Sequence, residues 1–335
     1  VADARSPTEG LARAEAFIRA FKGDPLITPA VAPHAMYTLD GPTLQATAAL
    51  GRRYDVPVLI HVAETRTERD DAIRLYGQSP VGYLDGLGFF TPRTVAAHGV
   101  WVSPEDIAIL QARHVALSHN PESNMKLASG AAPVTGYLRA GVTVSLGTDG
   151  AASNNDLDMF EAMRQAAFLA KLATMDPTAV PAREALAMAT IGGARSLGLD
   201  GITGSLEVGK KADLITVAVD SARETPLYDP VSHLVYVTRG NDVRTTIVNG
   251  KVLMQDRQVR TLDSHDVLAQ AREGRMAYAA VVGPLGELHL GDQIRTCPRR
   301  LGTCVSTSRC SDGPTCRTCW PRRPWRCPAT NWGGG

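Results

Sequence analysis

The 335-residue chain carries 35 Lys plus Arg against 34 Asp plus Glu, a formal net charge of +1, with 44% hydrophobic and 21% charged residues. This length suits one large α/β domain or a barrel with a small companion, and the charge balance argues against nucleic acid and membrane surfaces, so the expected partner is a small molecule. No apolar run reaches the roughly 18 residues that span a bilayer, and the opening VADARSPTEG lacks the basic and apolar regions of a signal peptide, so a cytoplasmic address is expected.

Short apolar runs of strand length recur at 26–31, 56–60, 94–97, 115–118 and 142–146. Between them lie helical spacings: Leu44, Thr47, Ala48 and Leu50, then Ala72, Ile73 and Tyr76, then Ile107, Ile109 and Leu110. Strands alternating with helices predict βαβ units and a parallel sheet, and continuous apolarity predicts strands buried on both faces. After the fifth run, Met159, Phe160, Met163, Ala166, Ala167 and Ala170 predict a long amphipathic helix whose Met and Phe side chains read as core.

The composition breaks near the end. All six cysteines (Cys297, Cys304, Cys310, Cys316, Cys319 and Cys327) follow residue 296, in an Arg- and Pro-rich stretch with little apolar periodicity. Cys316-x-x-Cys319 is half of a zinc pattern, but the other cysteines do not supply a second pair at compatible spacing. The tail reads as an irregular or extraneous end.

Each of the five runs ends in, or is soon followed by, a chemically capable side chain: His34, then His61 and Glu64, His98, His119, and Asp149. Taken singly, a histidine at a strand end is most often a hydrogen-bonded structural residue, and Asp149 alone could cap a turn. Five consecutive runs sharing the pattern are not explained that way. In a (β/α)₈ barrel the C-terminal strand ends converge on one mouth, and the interval from His61 to His98 fits one repeat of about 31 residues. His114 and His233 read as structural, and His265 and His289 lie beyond the regular pattern.

The stretches "APHAMYT", "HVAET", "SHNPESNMKLASGAAPV" and "GTDGAASNNDLDMFEAMRQAAFLAK" resemble the metal-dependent amidohydrolase superfamily, and within it the 5′-methylthioadenosine/S-adenosylhomocysteine deaminases. The likeness covers roughly residues 10 to 260. It implies an α/β fold: a partial (β/α)₈ TIM-type barrel with about five strands over 1–200, and the C-terminal half of a small β-sandwich over 201–262. A helix remnant and the irregular tail fill 263–335. "GSLEVGKKADLITV" and "VYVTRGNDVRTTIVNGKVL" carry the sandwich resemblance, with Gly204, Gly209 and Gly250 at turns.

The resemblance also implies roles. His61 and Asp149 match metal ligands for one divalent ion, zinc or alternatively iron, which imidazole and carboxylate donors suit. Asp149 would also accept a proton from the attacking water, His98 would hydrogen-bond the attacking oxygen, and Glu64 would protonate the purine ring nitrogen. His34, Glu64, Ser123, Asn124 and Ser153 match substrate-side positions. The implied partner is a purine nucleoside, with no nucleic acid and no membrane, and a homo-oligomer is left open.

One departure stands out. The superfamily's His-x-His pair occurs nowhere in the chain, which opens at Val1 without Met, so the first strands are expected upstream and metal binding is expected to be weak. Two other readings remain: a triazine-type chlorohydrolase or aminohydrolase of the same superfamily, and a noncatalytic relic, including one that uses the basic tail as an interaction module. A cytidine-deaminase architecture is disfavoured because H-x-E and P-C-x-x-C are both missing. A dehydrogenase is unsupported because no strand leads into G-x-G-x-x-G.

Overall fold

A computed structural model describes residues 4–282 of the chain, with side chains to residue 274. It opens with α1 (Pro7–Phe21) and α2 (Gly41–Tyr54). Each starts on a side-chain cap, Ser6 accepting from the Glu9 N–H and Asp40 from the Thr43 N–H, with proline in the first turn where its missing donor costs nothing. Then follow β1 (Val58–Val62), α3 (Arg66–Tyr76), α4 (Pro80–Gly86), β2 (Thr94–His98), α5 (Pro104–Ala112), β3 (Ala116–His119), α6 (Pro121–Lys126), α7 (Val134–Arg139) and β4 (Val144–Leu146). The four strands pair in the order β1-β2-β3-β4, all parallel. Parallel neighbours need a crossover, and helices supply each one.

The first apolar run behaves differently from expectation. Residues 26–31 form no strand, and only two isolated bridges, Val31 to Val58 and Ala35 to His61, set this segment beside β1. Pro29 removes an N–H donor inside the run and Pro25 and Pro33 remove one on either side of it, so a continuous ladder cannot form, and Leu26 and Ile27 end up exposed. The expected five strands are therefore four strands and an interrupted fifth.

Beneath the helices lies one apolar core that includes Val58, Ile60 and Val62 of β1, Leu44 of α2, Leu84 of α4, Leu110 of α5 and Tyr137 of α7. Helical spacing placed α3 correctly but not its orientation: Ala72 is buried, whereas Ile73 and Tyr76 are exposed. After β4 come α8 (Ala151–Asn154), α9 (Met159–Thr174), α10 (Ala182–Ala187) and α11 (Gly193–Leu197). On α9 the buried side chains include Phe160, Met163, Ala166, Ala167 and Ala170, as the spacing predicts.

A π-turn, Met188–Gly192, joins α10 to α11 and packs on β4. A Cβ at Gly192 would lie 2.6 Å from the Val144 carbonyl oxygen and 2.9 Å from that of Ala187. Backbone atoms cannot rotate out of the way. Gly192→Ala is therefore expected to lower the unfolding free energy by about 2 kcal/mol, read as a lower urea midpoint at constant slope.

A second sheet follows, ordered β5 (Leu214–Val217), β6 (Val243–Val248), β7 (Lys251–Gln255) and β8 (Gln258–Val259), antiparallel throughout. Gly204, Gly209 and Gly250 take φ values of +90°, +92° and +75°, turn conformations that favour glycine. Between β5 and β6, α12 (Pro230–Tyr236) carries His233. Its Nε2 lies 3.0 Å from Oε2 of Glu224, a carboxylate with a side chain 1% exposed. Arg223 meets the other oxygen of Glu224 at 2.8 Å and binds Asp242 through both carboxylate oxygens.

The last described element is α13 (Ser264–Val282). The chain divides into two units, residues 1–267 and 268–335, and both sheets lie in the first. Among the described residues no helix is long and apolar enough to cross a membrane. The cysteine-rich tail and His289 lie outside the described residues.

Candidate metal centre

Each parallel strand delivers a polar side chain near its C-terminal end, and the backbone there is unusual. Ala63, His98 and Asp149 have φ values of +52°, +74° and +61°. In the β1–β2 register His61 is level with Ala97, while His98 is level with Val62. An unbroken strand would thus place His98 on the same face as Val62, away from His61. The left-handed turn re-aims it: the rings of His61 and His98 stack 5.4 Å apart at 28°.

His61, His98 and Asp149 each offer a donor atom, and these atoms lie within 4.8 Å of one another. His61 Nδ1 is 2.7 Å from the His34 carbonyl oxygen. A carbonyl can only accept, so Nδ1 carries the proton and Nε2 keeps its lone pair free for an ion. Asp149 is held at both oxygens, Oδ2 accepting from the Ser123 and Ser153 hydroxyls at 2.7 Å each and Oδ1 from the Gly150 N–H at 2.7 Å. Burial pushes this carboxyl up, but the three hydrogen bonds outweigh it and hold the group below its usual range, ionised at neutral pH. The donor set of imidazole nitrogens and one carboxylate fits a divalent ion of the zinc or iron type.

Glu64 follows β1, its Oε2 3.8 Å from His98 Nε2, with a side chain 16% exposed. Its loop is fixed from behind. The buried Glu68 carboxylate accepts the Ala63 N–H at 2.9 Å and the Glu64 N–H at 2.8 Å, while Thr65 Oγ1 caps the Glu68 N–H. Burial raises the Glu68 carboxyl despite these bonds. Sequence reasoning passed over Glu68, although Thr65-Arg66-Thr67-Glu68 has the spacing of a capping box.

His34 borders a cleft of about 880 Å³, which His61, Thr38, Leu59 and Ala97 also line, together with part of α1. Its ring lies 5.0 Å from that of His61, and its Nδ1 contacts Thr38 Oγ1 at 3.1 Å. Burial and the neighbouring His61 lower its basicity. Ser153 sits on α8 against Asp149. Ser123 and Asn124 lie on α6, both 0% exposed, and Asn124 Oδ1 is 2.9 Å from His98 Nδ1. His119 is also buried, pushed down to about 3 by burial, with His98 adding to the shift. Neither of its ring nitrogens has a partner among the described residues.

The sequence profile of the Amidohydrolase family matches residues 4–253. A 5-methylthioadenosine/S-adenosylhomocysteine deaminase of Syntrophobacter fumaroxidans is 46% identical over 263 residues, which is 78% of this chain and 60% of that protein. A 5′-deoxyadenosine deaminase of Methanosarcina mazei is 49% identical over 259 residues, 77% of this chain and 60% of its own length. Among solved structures, an adenosine deaminase from Xanthomonas campestris with bound zinc superposes with a TM-score of 0.78 at 40% identity, covering 79% of this chain and 61% of its own. A zinc-bound atrazine chlorohydrolase from Arthrobacter aurescens gives 0.72 at 27% identity, covering 80% of this chain and 60% of its own. The chain thus spans about 60% of the length of the curated relatives it matches. With parallel strands that bring His61, His98 and Asp149 together, and a profile match over most of its length, the chain belongs to the amidohydrolase family.

Proposed function

We propose that this chain carries part of the active site of a hydrolytic deaminase that converts the 6-amino group of an adenine ring to an oxo group and releases ammonia. The substrate class is a thioether nucleoside such as 5′-methylthioadenosine or S-adenosylhomocysteine. The observation that carries this reading is the meeting of His61, His98 and Asp149 within 4.8 Å, with the Glu64 carboxylate beside His98. The names borne by relatives at 46% and 49% identity support the substrate class.

In this reading residues 1–200 form part of a (β/α)₈ barrel, 201–262 half of a composite sandwich, and 263–335 a separate end. His61 and Asp149 hold one divalent ion, zinc by preference. When bound, such an ion supplies Lewis-acid activation of water at neutral pH. Asp149, kept ionised by its hydroxyl partners, takes a proton from the attacking water. His98 hydrogen-bonds the attacking oxygen through Nε2. Glu64 donates a proton to the ring nitrogen beside the attacked carbon, which makes that carbon electrophilic, and His34 contacts the substrate from the cleft.

Ammonia release tests the proposal. The full chain, saturated with zinc and given 5′-methylthioadenosine, S-adenosylhomocysteine or adenosine, is expected to release ammonia as the adenine absorbance shifts to that of the oxo purine. Chloride release from a chlorotriazine without ammonia from any nucleoside would instead favour the triazine-hydrolase reading, whose solved examples share the fold. No turnover of either class at full zinc occupancy would make this chain noncatalytic.

A further inference from the structure

Asn124 is fully buried and its Oδ1 lies 2.9 Å from Nδ1 of His98, itself 1% exposed. An amide oxygen accepts and cannot donate, so this contact requires the His98 proton to reside on Nδ1. Nε2, the nitrogen 3.8 Å from the Glu64 carboxylate, then keeps its lone pair. The opposite arrangement, with the Asn124 amide turned and its NH₂ donating to Nδ1, would place the proton on Nε2 and close that nitrogen to any proton or ion. The amide orientation therefore decides which way the catalytic face of the ring is wired.

The next side chain along the same helical turn has the matching task for the facing group. Ser123 Oγ donates to Asp149 Oδ2 at 2.7 Å. The helix that carries both is tied to α8, which follows Asp149, by Glu122, which accepts from Asn154 Nδ2 at 2.9 Å, and by Lys126, which donates to the Ala152 carbonyl at 3.1 Å. Two successive residues of one six-residue helix thus orient a histidine from β2 and a carboxylate from the loop after β4.

We propose that Asn124 is a positioning residue that fixes His98 as the Nδ1–H tautomer and so reserves Nε2 for the reacting face. The proposal rests on the deaminase reading only for the task given to His98, because its test needs no turnover.

The test is nitrogen NMR of the full metal-free chain labelled at histidine, near pH 8, above the free imidazole pKa of about 6.5, with the His98 signals assigned by their loss in His98→Ala. In the wild type His98 is expected to show a protonated Nδ1 and an unprotonated Nε2. Asn124→Asp, which keeps an acceptor in place, is expected to retain that pattern. Asn124→Leu, similar in size but without an acceptor, is expected to lose it, the two nitrogens averaging or exchanging roles while the His233 signals stay put. A wild-type His98 protonated at Nε2 overturns the proposal even if no variant folds, and so does an unchanged pattern in Asn124→Leu. A chain with the expected tautomer and no deamination would refute the proposed function and leave Asn124's role standing.

Discussion

Glu64→Gln is expected to cut turnover by about 10²-fold or more in any form of the protein that deaminates, while bound metal stays nearly constant. The expected split follows from the geometry. Glu64 lies outside the group of donors formed by His61, His98 and Asp149, so an amide in its place removes none of them. Its loop is also held by backbone contacts to Glu68, which the substitution leaves intact. What the amide cannot do is deliver a proton. Parallel kinetics and metal analysis check this, and undiminished turnover would take Glu64 out of the mechanism.

Glu224→Ala is expected to destabilise the fold by about 3 kcal/mol, the low end for breaking a buried ion pair because Arg223 remains partly open to solvent. The alanine would leave the Arg223 guanidinium with Asp242 and the Val237 carbonyl, and His233 facing a void. The 3.0 Å approach of His233 to Glu224 is a close contact without hydrogen-bond alignment, since neither Glu224 Oε2 nor His233 Nε2 has an aligned partner among the described residues. Glu224→Gln preserves volume and an oxygen for Arg223, so it is expected to cost less. Urea unfolding of the two variants separates charge from shape: equal losses would show that the charge carries the whole effect, and an unchanged midpoint in Glu224→Gln would show that it contributes nothing.

The limits of the sequence reading follow from backbone conformation. Helix α9 was legible because a 3.6-residue period is written directly in the spacing of its apolar side chains. The segment at 26–31 has the apolarity of a strand, but Pro29 and the flanking Pro25 and Pro33 govern the hydrogen bonding. That His61, His98 and Asp149 approach one another was legible from their common place at strand ends. The aim of His98 was not, because alternation along β2 is undone by a single left-handed residue. Ser123 and Asn124 were visible as motif residues, whereas their hydrogen bonds to Asp149 and His98 depend on how α6 is set against the ends of the parallel strands. His233 was read as structural from its place outside the pattern, and its contact is with a buried carboxylate.

The left-handed residues at the strand ends carry a cost for the lineage as well as a use in the site. His98 and Asp149 occupy backbone that glycine would adopt without penalty, while L side chains there store strain of order 1 kcal/mol or more. Selection for robustness alone would favour erasing those side chains, and selection for chemistry would oppose it. Sequence drift at these two positions therefore reports which pressure a descendant still feels.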